Sequence, residues 1–222
     1  GTVLIGAIRR ASLEGGNPEV YLGGIVCGLG SLSDIELDAV GETIYWGERS
    51  DCSEAALHRT DLIRPNPSHS RLPVNGAYVV EAIELDLHNQ MIYWVSTDFF
   101  VAPAPGILRA PLNDTASDEY ILTGCIGDIA LAHMLSKIYW VPCNSSQIRR
   151  SNLDGTEVED VIVSQGEIGN LAIDQKGGEI YWTETGVGNI KRANLDGSEA
   201  ENLLSGLVVP TSIALNFGWD VR

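Results

Sequence analysis

The sequence predicts an all-β protein, a β-propeller of four-stranded antiparallel blades, on three observations. An Ile-Tyr-Trp core recurs at Ile44-Tyr45-Trp46, Ile92-Tyr93-Trp94, Ile138-Tyr139-Trp140 and Ile180-Tyr181-Trp182, at intervals of 42 to 48 residues. Two further motifs accompany it in one order at near-constant offsets, and no stretch between them carries helical periodicity. A repeat of this length containing only short strands is one blade of a propeller, each unit burying its apolar faces against its neighbours. Blades stacked around an axis also leave few exposed sheet edges.

The inner strand of each unit is a short apolar run ending in an acid or its substitute: Ile35 to Asp38, Ile83 to Asp86, Ile129 to Ala132, Leu171 to Asp174 and Ile213 to Asn216. Seven residues after the last position of the first four stands Tyr45, Tyr93, Tyr139 or Tyr181, an offset that predicts a tight hairpin. The third strand is Ile-x-Arg-x-x-Leu or a close variant and contributes Arg10, Arg59, Arg109, Arg150 and Arg192. Asp154-Gly155 and Asp196-Gly197 follow it as turns in which glycine accepts a positive φ. Weaker fourth strands are expected at Glu19 to Leu22, Glu119 to Leu122, Val158 to Val163 and Glu201 to Leu204. Proline-rich excursions interrupt the pattern at Ile63 to Asn75 and Ser96 to Gly106. The recurrence of the five arginines predicts a structural role, bracing a strand through a carbonyl or through an acid such as Glu48 or Glu184.

Together these motifs make the repeat resemble the YWTD module, the class B repeat of the low-density lipoprotein receptor, over almost the whole chain. The resemblance implies one propeller domain over residues 1–222. It also implies that the acid of the Tyr-Trp-Thr-Asp strand, here Glu48 and Glu184 only, accepts hydrogen bonds inside its blade. The family's usual propeller has six blades. Five are visible here, with a closing blade shared between Thr2 to Leu22 and Val208 to Asn216, or else the chain is part of a six-bladed ring.

The charge balance excludes other partners. Asp and Glu number 30 against 14 Lys and Arg, a net charge of −16, which repels phosphate backbones and anionic lipid. Nucleic acid and direct membrane insertion are therefore not expected. No apolar run approaches the roughly 20 residues of a membrane span, and the start lacks a signal-peptide layout, so the chain reads as a mature or excised piece. Cys27, Cys52, Cys125 and Cys143 lack metal or redox spacing, so two disulfides are expected. The sequons at Asn113 and Asn144 join them in indicating an extracellular or cell-surface setting. Connections in an up-and-down blade alternate between its two ends, which places all four cysteines on one face and pairs Cys27 with Cys52 and Cys125 with Cys143.

No nucleophile elbow, phosphate-binding loop or His-Glu-x-x-His spacing occurs, and His58, His69, His88 and His133 read as solvated surface residues. The informative positions are departures from the repeat. Ala130, Ala172 and Ala214 occupy one inner-strand position that carries Glu36 and Glu84 in two adjacent units. Asp34, Glu81, Asp128, Asn170 and Ser212 precede the same strands and are expected to rim the channel mouth with them. This acidic rim suits a protein or peptide partner of basic character; calcium at Glu36 and Glu84 is the one cofactor considered, and no catalytic or metal-ligating set is assigned. A non-catalytic extracellular interaction module, flanked by neighbouring domains of a larger chain, is the function expected. A structural repeat domain of a large extracellular assembly is the alternative, and a propeller hydrolase of lactonase type is a third reading.

Overall fold

The computed structural model of the chain describes residues 7–10, 19–23, 31–49, 57–62, 69–74, 79–97 and 104–215. They form strands and two short 3₁₀ turns in two compact units, Gly1–Thr123 and Gly124–Arg222. In the first unit, β1 (Ala7–Arg10) pairs with β2 (Glu19–Gly23) as a two-stranded sheet. Two four-stranded antiparallel sheets follow. One is β3 (Ser31–Asp38), β4 (Thr43–Arg49), β5 (Leu57–Asp61) and β6 (Ser70–Arg71); the other is β7 (Val80–Asp86), β8 (Met91–Ser96), β9 (Gly106–Pro111) and β10 (Glu119–Thr123). The second unit repeats the pattern with β11 (Ile126–Ala132), β12 (Lys137–Pro142), β13 (Gln147–Asn152) and β14 (Glu159–Val163). Its second sheet is β15 (Ile168–Asp174), β16 (Glu179–Glu184), β17 (Asn189–Asn194) and β18 (Glu201–Leu204). Each four-stranded sheet is an up-and-down propeller blade whose second strand is the Ile-Tyr-Trp element.

The acid closing an inner strand builds the hairpin that follows. Asp38 Oδ1 accepts from the N–H groups of Val40 and Gly41 at 3.1 and 2.7 Å, and Asp174 Oδ1 from those of Lys176 and Gly177 at 2.9 and 2.8 Å. Asp86 Oδ1 accepts from Asn89 N–H at 3.1 Å. A short carboxylate reaching its own backbone two or three residues on is an Asx turn. Where Ala132 stands instead, a 3₁₀ turn over His133–Leu135 makes the same reversal and ends on Ser136 in the left-handed region, at φ 52°. At the outer turn, Gly197 is required twice: its φ is +85°, and a Cβ there would lie 2.2 Å from the Val161 carbonyl oxygen.

Alternation along β4, β8, β12 and β16 sends Tyr to one face and Trp to the other. Trp46, Trp94, Trp140 and Trp182 are all buried. In the first unit Tyr45 lies in a core with Val80, Ile83, Leu85 and Trp94, and in the second Tyr139 lies with Leu171, Ile180, Trp182 and Ala193. Each core is thus the Tyr face of one blade packed on the inner-strand pair and Trp of the next. The Tyr and Arg of every blade are cross-strand partners: Tyr45 with Arg59, Tyr93 with Arg109, Tyr139 with Arg150 and Tyr181 with Arg192. Between β11–β14 and β15–β18 this pair also locks the seam. Tyr139 Oη donates to the Leu195 carbonyl at 2.7 Å, and Arg150 Nη1 donates to the same oxygen at 3.0 Å.

The arginines differ from expectation in their acidic partners. Arg109, Arg150 and Arg192 bind Glu119, Glu159 and Glu201 of the outer strands at 2.6–2.8 Å, not Glu48 or Glu184. The pleat explains this: Arg shares a face with Tyr, whereas Glu48 and Glu184, two residues beyond Trp, share the Trp face. The fourth strands arise as expected, and β6 is an addition from within the Pro65–Pro73 excursion. Residues 208–215 carry no strand, and Asn216 lies outside the described residues, as do Cys27 and Cys52 with their expected pairing. Cys125 and Cys143 form a disulfide with Cα atoms 5.3 Å apart, and the Cys143 N–H donates to the Cys125 carbonyl at 3.0 Å.

Candidate functional site

Each inner strand breaks register with its partner at one place: between Leu32 and Ile35, Val80 and Ile83, Ile126 and Asp128, and Ile168 and Leu171. A bulge of this kind turns its side chains out of the ordinary alternation. Four of the expected rim residues, Asp34, Glu81, Asp128 and Asn170, fall within or at the edge of these bulges.

Asp34 and Asp128 are committed to the architecture. Asp34 Oδ2 accepts from the Ile83 N–H on β7 at 2.8 Å, and its Oδ1 accepts from the Ile35 N–H at 2.8 Å. Asp128, which is buried, repeats the device two blades further on: its Oδ2 accepts from the Leu171 N–H on β15 at 2.7 Å. The acid just before one inner strand thus satisfies a backbone donor at the bulge of the next blade, where the sheet ladder has no partner for it. Asp128→Ala is expected to destabilise the second unit by about 2 kcal/mol, and Asp128→Asn, which keeps an acceptor, by less than half of that. Equal losses in urea denaturation would show that the bond to Leu171 is not what matters.

Glu81 Oε1 accepts from the Thr97 hydroxyl at 3.1 Å, and Asn170 is held through its own N–H, which donates to Thr183 Oγ1 at 3.0 Å. Glu36 and Glu84 stand on adjacent inner strands, β3 and β7, each half-buried and each the cross-strand partner of a Tyr, Tyr45 and Tyr93. Burial, and then the neighbouring Asp34 carboxylate, push the Glu36 carboxyl up to about 7 from an ordinary 4.5. Burial likewise raises Asp34, partly offset by its two backbone hydrogen bonds. The first unit therefore presents, at Glu36, a carboxyl that burial and Asp34 keep protonated to near neutrality. Ala130 and Ala172 hold the equivalent positions of the second unit. Among the described residues no group of three or more His, Cys, Asp and Glu is placed to hold a metal ion. Asn113 and Asn144 are both exposed, the latter in the β12–β13 turn beside Cys143.

Sequence reasoning missed His58, which is buried rather than solvated, beside an equally buried Glu48. The signal was present: His58 occupies the position facing Trp46 that Lys191 occupies facing Trp182.

No family model matches the chain. Nidogen-2 of Mus musculus is 27% identical over 127 residues, 56% of this chain and 9% of that protein. Low-density lipoprotein receptor-related protein 1 of Pyricularia oryzae is 30% identical over 103 residues, 43% of this chain and 33% of that protein. The chain thus spans a third or less of the curated relatives it matches. In fold it is similar to a solved nidogen/laminin complex, with a TM-score of 0.76 at 19% identity, covering 93% of this chain and 78% of that one. It is also similar to XC5397 of Xanthomonas campestris, described as a gluconolactonase, with a TM-score of 0.65 at 14% identity, covering 85% and 65%.

Proposed function

We propose, from relatives that point to the YWTD, low-density lipoprotein receptor class B β-propeller family, that this chain is a non-catalytic extracellular module that binds a protein or peptide. The observation that carries the reading is the Glu36 and Glu84 pair on adjacent inner strands, with the Glu36 carboxyl at about 7. A lysine or arginine side chain of a partner would place a positive charge against this raised carboxyl. The structure solved with laminin is support of the same kind, since that nidogen propeller is seen with a protein partner. The binding face proposed is the one that bears the blade-crossing loops.

Binding has a defined pH dependence in this reading. The free carboxyl of Glu36 holds its proton below about 7, whereas a cationic ligand favours the ionised form, so binding releases a proton and weakens as pH falls. The test is capture from extracellular matrix extract by the immobilised protein at pH 8 and pH 5.5, set against the double variant Glu36→Lys, Glu84→Lys. The wild type is expected to capture its partner at pH 8, less of it at pH 5.5, and the variant at neither. Equal capture by both proteins removes the inner-strand acids from the site. A calcium ion is the competing occupant of the same pair, and millimolar calcium that leaves Tm unchanged excludes it.

Asn113 and Asn144 are proposed glycan acceptors, tested by mass loss of the secreted protein on N-glycosidase treatment. The gluconolactonase likeness supports a second reading as a lactone hydrolase, and gluconolactone hydrolysis above the uncatalysed rate, with divalent metal present, would favour it. A purely structural role in a large extracellular assembly predicts that neither capture nor turnover depends on Glu36 and Glu84.

A further inference from the structure

In the last complete blade, the acid two residues beyond the tryptophan is fully satisfied. Glu184 has no exposed surface, pairs with Lys191 Nζ at 3.1 Å, and accepts from Asn189 Nδ2 at 2.9 Å and from the Ser164 hydroxyl. Lys191 reaches it from the position facing Trp182. In the β11–β14 blade the corresponding residue is also a permanent cation, Arg149, whose guanidinium stands 5.9 Å from the Trp140 ring centre.

The first complete blade keeps the acid and changes the cation. Glu48 is buried at 4% exposure, and the residue facing Trp46 is His58, at 7%. The imidazole stacks on the indole with centroids 5.3 Å apart and planes 8° off parallel. Its Nε2 lies 3.5 Å from Glu48 Oε1, an ion-pair distance. Among the described residues, neither ring nitrogen of His58 nor Oε2 of Glu48 has a hydrogen-bond partner. A buried carboxylate beside a neutral ring is costly, and a proton on that ring completes the pair the sibling blade holds permanently.

We propose that Glu48 and His58 form a proton-gated ion pair, so that the first complete blade acquires on acidification the internal brace that Lys191 already gives the last blade at neutral pH. The charged groups facing His58 have been placed by the sheet. Glu48 comes from β4; Arg71, its cross-strand partner on β6, stays cationic throughout; and His69, just before β6, meets its ring edge-on at 5.7 Å between centroids. Among the described residues, the other neighbours around this sheet position are Ile8 of β1, packed with Trp46, and Ser33 of β3 and Val80 of β7, beside Gly47, none of which titrates. His69 opposes the pair, but burial and then His58 hold its ring below the ordinary imidazole value of 6.5. A base lowered in the folded state destabilises as pH falls through its unfolded value. His69 therefore works against the gain from the Glu48–His58 pair on acidification.

The experiment compares melting temperatures at pH 8 and pH 5.5 for the wild type, His58→Gln, His58→Lys and His69→Gln, all as the full chain. Relative to His58→Gln, the wild type is expected to gain about 3 °C on acidification. His58→Lys is expected to hold that gain already at pH 8, and His69→Gln to enlarge it. Ring nitrogen NMR shifts of the wild type give a readout that needs no variant to fold: the His58 signal should move to the imidazolium position as pH falls, together with the Glu48 carboxyl carbon. A wild-type pH difference that survives intact in His58→Gln, or a His58 ring that stays neutral to pH 5, overturns the proposal.

Discussion

Glu184→Ala is expected to destabilise the second unit by about 3 kcal/mol, at the lower end of the range for breaking a buried ion pair. Lys191 retains 20% exposure, so part of its stranded charge reaches water, while the carboxylate has none. The loss also leaves Asn189 and Ser164 without their acceptor. Chemical denaturation should show the midpoint falling with the slope unchanged, and a loss below about 1 kcal/mol would show that these donors find other partners. The pH dependence has a definite sign. Burial alone would push this carboxyl up, but Ser164, Asn189 and Lys191 outweigh it and hold Glu184 below its ordinary 4.5. The stabilisation is therefore present above about 4.5 and lost as pH falls through the lower folded value, and Glu184→Gln should flatten the acid limb of the stability curve.

Trp182→Ala is expected to cost about 4 kcal/mol, because the indole is almost wholly enclosed in the seam with Ala130, Tyr139, Ile148 and Ile168. Close-packed surroundings relax only partly around the space left, so transfer and cavity penalties add. Tyr139→Phe is the informative contrast in the same seam. It removes the hydroxyl that donates to the Leu195 carbonyl, but Arg150 still donates to that oxygen, so about 1 kcal/mol is expected. If the phenylalanine variant costs as much as the alanine one, the seam is held by its hydrogen bonds and not by packing.

Most of the blade was legible because its determinants are local. Tyr and Trp adjacent in sequence must point to opposite faces, and an acid seven residues before Tyr closes the intervening turn on its own backbone. The same logic reached Asp196-Gly197 from its dipeptide alone. Legibility failed where a local signal was weak or where a contact crossed between strands. Ser70–Arg71 became the outer strand of its blade despite the prolines around it, since two residues suffice to pair with His58 and Arg59. The arginines were correctly read as structural, yet their acids were sought on the wrong face. His58 was read as a surface residue because an isolated histidine usually is one, and only its alignment with Lys191 gives it away.

The inner-strand acids divide along the same line. The rim candidates are all ordinary polar residues in sequence, and nothing local tells which of Asp34 and Glu36 will bond a neighbouring blade. The register break does: it turns Asp34 and Asp128 toward backbone donors 49 and 43 residues further on, and it leaves Glu36 against Asp34 with its carboxyl raised. Strand identity, hairpin position and the Tyr–Trp alternation follow from neighbours within a few residues, so the chain alone determines them. Which polar group is spent on holding blades together and which keeps a raised carboxyl depends on bulges and on the facing sheet, contacts across a whole repeat, and that was decided only when the sheets were packed.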